Sequence, residues 1–292
     1  MDINGARSLI TGGASGIGYA LAEQLLREGA RVVIVDIDEE NATAAAARLR
    51  EATGGEVHHA VADVSDRDSV ARVGALVRER FGGLDLLVNN AGVVYHAKPL
   101  WETPPEMVDW SFGVNTFGVF NGLQEFLPDM VAQGHGHVVN TASMAGFQVR
   151  GNTDWFQGLY CATKFAVVGI SEALREDLAP HGIGVSVVAP SAVATNIARS
   201  DGVRPDRFGG PTTGSSPEVH IQKLAAGGIE PAVVAALIVD SIRHNRLYVF
   251  THYKDRAVVA ARGERILTGF DESQAALDRL GIPESSSIHQ PR

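Results

Sequence analysis

Short apolar runs alternate along the chain with longer stretches in which apolar residues recur at helical spacing. The short runs, rich in Val and Ile, predict seven β-strands, at 7–11, 31–36, 56–63, 85–90, 136–143, 184–190 and 246–250. The longer stretches predict helices near 17–28, 39–53, 66–80, 105–133, 155–180 and 231–244. Strands that are apolar throughout and separated by helices indicate a parallel sheet covered on both faces. We therefore expect an α/β fold with a doubly wound parallel seven-stranded sheet.

Two stretches interrupt this alternation. Residues 196–230 are rich in Gly, Pro and Ser at a point where a crossover helix is expected, and a long segment of this kind often covers a site. Residues 272–292 form a polar C-terminal tail. No linker is visible elsewhere, so we predict one catalytic domain over residues 1–271, with 196–230 as a substrate lid.

Charge and cysteine content exclude several classes of partner. The formal net charge of −9 argues against nucleic acid, because phosphate binding needs clustered Lys and Arg. No apolar run approaches the ~20 residues of a membrane span, and the start lacks the pattern of a secretory signal. The single cysteine, Cys161, fits a reducing compartment and is interpreted as a packing residue. The histidines show no zinc-like cluster, so we expect no metal site. Taken together, the features of this paragraph predict a cytoplasmic protein.

A glycine-rich loop, TGGASGIG at 11–18, lies between the first predicted strand and the first predicted helix. Gly12 permits a tight turn, Gly16 lets the backbone approach a diphosphate, and Gly18 allows the helix to pack closely on the sheet. The N-terminus of the helix adds unpaired N–H groups and a partial positive charge. Glycine triplets also occur in ordinary turns, so the strand–loop–helix context is what favours a dinucleotide site.

An acidic residue, Asp36, ends the second predicted strand. Its carboxylate can accept hydrogen bonds from both hydroxyls of the adenosine ribose of NAD, and it would repel the additional phosphate of NADP. No Arg or Lys stands at Ser15 or Ile37 to offset that repulsion. An Asp at this point can also be a plain turn residue, but its position relative to the glycine loop favours the cofactor role. The predicted cofactor is therefore NAD.

Five motifs follow one another in order, namely the glycine loop, NNAG at 89–92, Asn115, Ser143 and Tyr160-x-x-x-Lys164. Together they resemble the short-chain dehydrogenase/reductase family over about residues 3–250. The resemblance implies a Rossmann-type domain that moves a hydride between a nicotinamide and an alcohol or carbonyl group. It also implies cofactor contacts in and beyond the glycine loop, at Gly12, Ser15, Gly16, Ile17, Gly18, Asp36, Ile37, Asp63, Val64, Asn90, Ala91, Gly92, Tyr160, Lys164, Val193 and Thr195. In that scheme Asp63 and Val64 meet the adenine, Asn90 to Gly92 line the adenosine ribose, and Val193 and Thr195 meet the nicotinamide end.

The spacing of Tyr160 and Lys164 has a direct chemical interpretation. Residues i and i+4 share one helix face, so both side chains can point into one cleft. The ammonium of Lys164 favours the phenolate, and the positive charge of NAD⁺ adds to the effect. Lowering the phenol pKa from ~10 to ~7 requires about 4 kcal/mol. Tyr160 would then be the general base in oxidation and the general acid in reduction.

The resemblance assigns three further roles. Lys164 would hold the nicotinamide ribose, Ser143 would hydrogen-bond the substrate oxygen, and Asn115 would bind a water that connects Lys164 to solvent. Taken singly, Ser143 could simply end a strand and Asn115 could make a buried structural hydrogen bond. Two features depart from the family pattern: additional residues before Tyr160, which carry DWF at 154–156, and Pro190-Ser191 in place of Pro-Gly.

The residues nearest the catalytic positions in sequence are almost all apolar or aromatic, namely Val93, Val94, Tyr95, Met144, Ala145, Phe147, Trp155, Phe156 and Ile197. The predicted substrate contacts among them are Tyr95, Met144, Phe147, Trp155 and Phe156. A pocket of this composition binds by burial of apolar surface, so we expect an apolar, ring-bearing secondary alcohol or its ketone as substrate. The stretches 160–178 and 247–252 are also similar to the aryl-alcohol Cα-dehydrogenase branch of the family.

Two other functions use similar parts. Nucleotide-sugar epimerases and dehydratases also employ a Tyr and a Lys, but they are generally longer and space their glycines differently. A non-catalytic NAD-sensing protein would be expected to lose Ser143, Tyr160 or Lys164. We also predict a homo-oligomer, a tetramer or dimer, formed through helices 105–133 and 155–180. The apolar residues expected in that interface are Phe117, Phe120, Val167, Val168 and Leu174.

Overall fold

The computed structural model describes residues 1–95, 98–149, 157–212 and 227–282. The chain divides into two compact units, Met1–Thr251 and His252–Arg292. All the strands of the sheet lie in the first unit. No helix of the described ranges is both long enough and apolar enough to cross a membrane.

The sheet confirms the predicted architecture. Its strands are β1 (Arg7–Thr11), β2 (Arg31–Asp36), β3 (Val57–Val61), β4 (Leu86–Asn89), β5 (Gly136–Thr141), β6 (Ile183–Ala189) and β7 (Tyr248–Phe250). They pair in parallel in the order β3-β2-β1-β4-β5-β6-β7. The order reverses direction between β1 and β4, and the carboxyl ends of these strands open the crevice in which doubly wound sheets bind ligands.

The helices of the first unit cover both faces of this sheet. They are α1 (Gly16–Arg27), α2 (Glu39–Thr53), α3 (Arg67–Phe81), α4 (Pro105–Phe112), α5 (Gly118–Gln133), α6 (Gly158–Leu178) and α7 (Pro231–His244). Alternate strand residues point to opposite faces, so Ile10 and Ile34 pack with α1 and α7 while Leu9 and Val33 pack with α3 and α5. Burial on both faces explains why the strands are apolar throughout.

The helix predicted over 105–133 is interrupted. A π-helical turn, Gly113–Phe117, joins α4 to α5. Such a turn inserts one additional residue into a helix and is frequent at functional sites. Asn115 lies within it.

The prediction of which apolar residues form the oligomer interface is partly wrong. Phe117 and Phe120 are 56% and 41% exposed, as an interface role requires. Val167 and Val168 are instead buried in the core beneath α6, and Leu174 packs against the same core. The reason is that α6 lies directly on the sheet, so these residues serve the fold of the single chain. Oligomerisation itself stays a prediction.

The second unit contains α8 (Arg256–Leu280), a helix that the sequence pattern did not indicate. Its helical structure runs past residue 271, so the predicted start of a polar tail at 272 falls inside a helix.

Candidate active site

The glycine loop forms a tight cradle between β1 and α1. Gly12 and Gly16 have positive φ angles of 62° and 54°, which L side chains rarely adopt. A Cβ added to Gly12 would lie 2.9 Å from Cα of Ala91, and one added to Gly18 would collide with the carbonyl oxygen of Gly12. The loop therefore has to be glycine-rich to bring β1, α1 and the NNAG segment together.

The N-terminus of α1 is left open towards the cradle. Ser15 is its N-cap, but its side chain makes no capping hydrogen bond. Ile17 packs its side chain against the core, so the backbone N–H groups at the start of the helix are the groups presented by this stretch. This arrangement fits a diphosphate, whose charge complements the positive end of the helix.

The NNAG segment is fastened to the glycine loop. The Oγ1 of Thr11 accepts hydrogen bonds from the backbone N–H groups of Asn90 and Ala91, at 2.9 and 3.0 Å. The side-chain amide of Asn90 donates to the carbonyl oxygens of Thr11 and Gly12, at 3.0 and 3.2 Å. The predicted loop and segment thus form one wall of the crevice at the ends of β1 and β4.

Asp36 lies beside the glycine loop at the end of β2. Its carboxylate accepts hydrogen bonds from the backbone N–H groups of Ala14 (3.2 Å) and Asp38 (3.3 Å). Burial raises the pKa of the Asp36 carboxyl, and these hydrogen bonds oppose that rise. Each carboxylate oxygen keeps further acceptor capacity for a ligand hydroxyl. Ile37 follows it and is half-buried.

Asp63 and Val64 follow β3 on the same edge of the sheet. The carboxylate of Asp63 accepts hydrogen bonds from the backbone N–H and the hydroxyl of Ser65, at 2.9 and 2.6 Å. It also forms an ion pair with Arg207 at 2.6 Å. Val64 is buried, and its carbonyl oxygen accepts a hydrogen bond from the side chain of Asn121 at 2.8 Å.

Ser143, Tyr160 and Lys164 meet where β5 ends and α6 begins. Gly146 allows this, because an added Cβ would lie 2.6 Å from the carbonyl oxygen of Lys164 and push the Met144–Gly146 turn off α6. The hydroxyls of Ser143 and Tyr160 share a hydrogen bond. The Nζ of Lys164 lies 5.7 Å from the centre of the Tyr160 ring and donates to the carbonyl oxygen of Thr141 at 2.9 Å.

Burial shifts the pKa values of both Tyr160 and Lys164 towards their neutral forms. Burial raises the pKa of Tyr160 to about 12, against the opposing effect of the Ser143 hydrogen bond. Burial also lowers the pKa of Lys164 to about 8. In the chain alone desolvation therefore outweighs the effect of the neighbouring amine on the Tyr160 pKa. The lowering of this pKa expected with NAD⁺ bound stays a prediction.

Asn115 is buried in the π-helical turn, and protein groups already bind its side chain. Its Oδ1 accepts from the backbone N–H of Val93 at 2.8 Å, and its Nδ2 donates to the Val93 carbonyl and to the Thr163 hydroxyl at 2.9 and 3.1 Å. A Cβ added to Gly92 would lie 3.4 Å from both Asn115 Oδ1 and Lys164 Nζ. The absent side chain of Gly92 thus leaves a gap between these two groups.

The Pro190-Ser191 departure does not strain the backbone. The φ angle of Ser191 is not positive, and its backbone N–H donates to the hydroxyl of Thr251 at 3.1 Å. The carbonyl oxygen of Pro190 accepts from the backbone N–H of Met144 at 2.9 Å. A glycine is therefore not required here, since Ser191 adopts an ordinary conformation.

The remaining predicted cofactor contacts behave differently from each other. Val193 is buried in the core and forms an isolated β-bridge with Ile229. The methyl group of Thr195 faces the glycine loop, 3.1 Å from the position of a Cβ added to Gly16.

The described residues predicted to contact substrate are only partly brought together. Tyr95 is buried in a cluster with Met107 and Trp110, and Met144 is buried beside Ser143. Phe147 packs edge-on against the β7 aromatic Phe250, with ring centres 5.1 Å apart. Trp155 and Phe156 lie outside the described residues.

The sequence reasoning missed two arginines near the site, Arg204 and Arg207. Arg204 is buried, with its Nε donating to the Gly210 carbonyl at 2.8 Å and its guanidinium 5.7 Å from the Trp110 ring. Arg207 reaches Asp63. No sequence signal marks either residue, because tertiary packing brings both to the crevice.

Known proteins resemble this chain in sequence and in fold. The model of the short chain dehydrogenase family matches residues 7–204. A C alpha-dehydrogenase of Sphingobium sp. strain SYK-6 is 34% identical over 254 residues, which are 86% of this chain and 82% of that protein. The crystal structure of a short chain dehydrogenase/reductase from Burkholderia phymatum in complex with NAD is 33% identical, covers 99% of this chain and 100% of its own, and has a TM-score of 0.84. A metagenomic short-chain oxidoreductase in complex with NADP is 28% identical, covers 86% of this chain and 97% of its own, and has a TM-score of 0.67.

A glycine cradle at the switch point of a doubly wound sheet, with a Ser-Tyr-Lys cluster beside it, defines a nicotinamide-dinucleotide oxidoreductase. The chain belongs to the short-chain dehydrogenase/reductase family. The predicted family and fold are thereby confirmed, and the class of activity is NAD- or NADP-dependent dehydrogenation or reduction of a small molecule.

Proposed function

We propose that the protein is an NAD-dependent dehydrogenase that interconverts an apolar secondary alcohol and its ketone, with Tyr160 as the general base and acid. The observation that carries this proposal is the hydrogen bond between Ser143 and Tyr160, with the buried amine of Lys164 at 5.7 Å from the Tyr160 ring. This cluster is suited to moving one proton at a substrate oxygen.

The residues of the crevice fit NAD, which when bound supplies the acceptor or donor of the hydride. The N-terminus of α1 and the backbone of Gly12 and Gly16 bind the diphosphate. Asp36 binds the adenosine ribose through its carboxylate, and its charge disfavours the additional phosphate of NADP. Asp63 binds the adenine by accepting a hydrogen bond from its exocyclic amine.

The proton steps follow from the positions of the side chains. In oxidation, Ser143 would hold the substrate oxygen while the phenolate of Tyr160 takes up the hydroxyl proton; bound NAD⁺ would supply the acceptor of the carbinol hydride, which gives the ketone. In reduction, the phenol of Tyr160 returns the proton to the same oxygen. Lys164 stabilises the phenolate and binds the nicotinamide ribose.

A route for the proton leads from Lys164 towards Asn115. The gap beside Gly92 is bordered by Lys164 Nζ and by Asn115 Oδ1, which has one lone pair not used by Val93. A water held in this gap can accept a proton from Lys164 and pass it on towards solvent. Asn115 orients that water and also fixes Val93 next to it.

Support for an apolar substrate comes from the buried Tyr95, from the buried Met144 next to Ser143, and from the relative whose name is C alpha-dehydrogenase. Trp155 and Phe156, which lie outside the described residues, stay predicted substrate contacts. The setting we propose is cytoplasmic and homo-oligomeric, with one catalytic domain that contains the whole sheet.

The test is a matched panel in which aryl and alicyclic secondary alcohols are compared with sugars and hydroxy acids, with NAD⁺ in excess and NADH formation as the signal. We expect the highest kcat/KM in the apolar set. A higher kcat/KM for the polar set would refute the substrate class. Binding of NAD⁺ without turnover of any alcohol would instead favour an NAD-sensing protein.

A further inference from the structure

The segment after β6 is tied to the adenine end of the crevice. We call residues 197–212, which contain the short 3₁₀ helices Ile197–Val203 and Asp206–Phe208, the docking segment. In the folded chain Arg207 of this segment donates through Nη2 to Asp63 Oδ2 at 2.6 Å and to Ser65 Oγ at 2.8 Å. These residues are far apart in sequence, so the contact exists only through tertiary packing.

The three side chains form a closed hydrogen-bonded triangle. Ser65 donates its hydroxyl proton to Asp63 Oδ1, at 2.6 Å, and accepts from Arg207. Both hydrogen bonds from Ser65 go to Asp63 Oδ1, while among the described residues only Arg207 donates to Oδ2. Because a carboxylate oxygen accepts about two hydrogen bonds, Oδ2 of Asp63 has one acceptor position left.

Other contacts hold the docking segment in place independently of Arg207. Ser200 accepts a hydrogen bond from the backbone N–H of Val94 at 3.1 Å. Arg204 donates to the Gly210 carbonyl and lies against Trp110. Phe208 packs beside Gly113 of the π-helical turn, 3.6 Å from the position of an added Cβ. The segment should therefore stay docked when the side chain of Arg207 is shortened.

We propose that Arg207 is a positioning residue for adenine recognition, which fixes the carboxylate of Asp63 so that Oδ2 accepts the exocyclic amine of the adenine ring. The side chain of Asp63 is 13% exposed and that of Arg207 is 47% exposed, so Arg207 closes over the outer side of Asp63. The docking segment, which is part of the predicted substrate lid, thus also determines how strongly the site prefers adenine. This inference rests on the proposed NAD site and on the placement of Asp63 there.

The experiment measures equilibrium binding of NAD⁺ and of nicotinamide hypoxanthine dinucleotide, in which a carbonyl replaces the amine, by calorimetry without substrate. Wild type should bind NAD⁺ more tightly, because the carbonyl would face the Asp63 carboxylate. In Arg207→Ala the preference for NAD⁺ should fall about fivefold, the upper range for a partly exposed ion pair. Arg207→Lys should lie between, since an ammonium cannot bridge both partners with the geometry of a guanidinium.

Arg72→Ala is the matched control. Arg72 is exposed on α3 and forms no ion pair with any of the residues that the structure describes, so its removal changes the net charge equally without touching Asp63. A double variant, Arg207→Ala with Asp63→Ala, should show the same preference as Asp63→Ala alone, because Arg207 acts through Asp63.

Three outcomes of these measurements separate the proposed function from the proposed role of Arg207. Failure of wild type to bind NAD⁺ overturns the proposed function and this inference with it. Tight NAD⁺ binding without preference over the hypoxanthine analogue overturns the inference but leaves the proposed function standing. An unchanged preference in Arg207→Ala, with weaker substrate binding or a lower Tm, shows that Arg207 only anchors the segment and also overturns the inference.

Discussion

Replacement of Tyr160 by Phe is expected to remove at least ~10²-fold from kcat, the lower range for general acid–base catalysis, while NAD⁺ still binds. The substitution deletes only the hydroxyl that Ser143 contacts and keeps the ring. A variant that retains turnover would contradict the role of Tyr160. The control is Tyr19→Phe on α1, because Tyr19 packs at the edge of the core, away from Ser143 and Lys164.

The structure also sets how far the Tyr160 pKa has to move. From a value of about 12 in the chain alone, half-ionisation at pH ~8 requires a fall of about four units, or about 5 kcal/mol. If the 5.7 Å between Lys164 Nζ and the centre of the Tyr160 ring is taken as the separation of the two charges, a charged Lys164 supplies about 3 kcal/mol at an effective dielectric constant of ~20. About 2 kcal/mol remains, which a positive nicotinamide within ~8 Å can supply.

The measurement is a titration of tyrosinate by ultraviolet absorbance, with and without NAD⁺. Subtracting Tyr160→Phe from wild type isolates one of the five tyrosines. We expect Tyr160 to titrate above pH ~10 without cofactor and about 1.5 units lower with NAD⁺, the equivalent of about 2 kcal/mol. The same midpoint in both conditions would refute this electrostatic account, even if Tyr160→Phe proved inactive.

Three further predictions concern the cofactor, the fold and the assembly. Asp36→Ala should weaken NAD⁺ binding about tenfold and lower the ratio of kcat/KM with NAD⁺ to kcat/KM with NADP⁺. Equal wild-type kcat/KM values for the two cofactors would contradict the role of Asp36. Burial lowers the pKa of His137 to about 3, so only the unfolded chain takes up this proton as the pH falls from 7 to 5. The free energy of unfolding should therefore fall by about 2 kcal/mol between pH 7 and pH 5. Urea titrations at the two pH values should show this fall in wild type but not in His137→Gln, and an equal fall in both proteins would refute the role of His137. Light scattering at micromolar concentration should show an oligomer that Phe117→Asp with Phe120→Asp dissociates, and a monomeric wild type would exclude the predicted interface.

The sheet could be predicted from sequence because its signal is local. Each strand is an apolar run buried on both faces, and the observed bounds differ from the predicted ones by at most two residues at either end. The placement of Asp36 followed as well, because a residue that ends β2 has to lie beside the loop that ends β1 in a parallel sheet. The Ser143–Tyr160 contact needed the family resemblance, since no spacing rule joins residues on different elements.

Other features could not be found in this way, because they depend on tertiary packing. The π-helical turn at Gly113–Phe117 adds one residue to a helix without changing its apolar pattern enough to be seen. The raised pKa of Tyr160 comes from desolvation by many neighbours, whereas the sequence shows only the lysine. Arg204 and Arg207 reach the crevice only because the docking segment folds back over α4.

The pKa values of Tyr160 and Lys164 together explain how the base can depend on the cofactor. Burial favours the neutral form of both groups, which leaves the phenol protonated and the amine only partly charged near pH 8. Charge on either group is costly alone in this site, but a phenolate and an ammonium stabilise each other, and a positive nicotinamide stabilises the phenolate further. The reactive phenolate should therefore form mainly when oxidised cofactor is bound. A site built in this way has its base available for alcohol oxidation when the hydride acceptor is present, and holds the proton on Tyr160 when it is not.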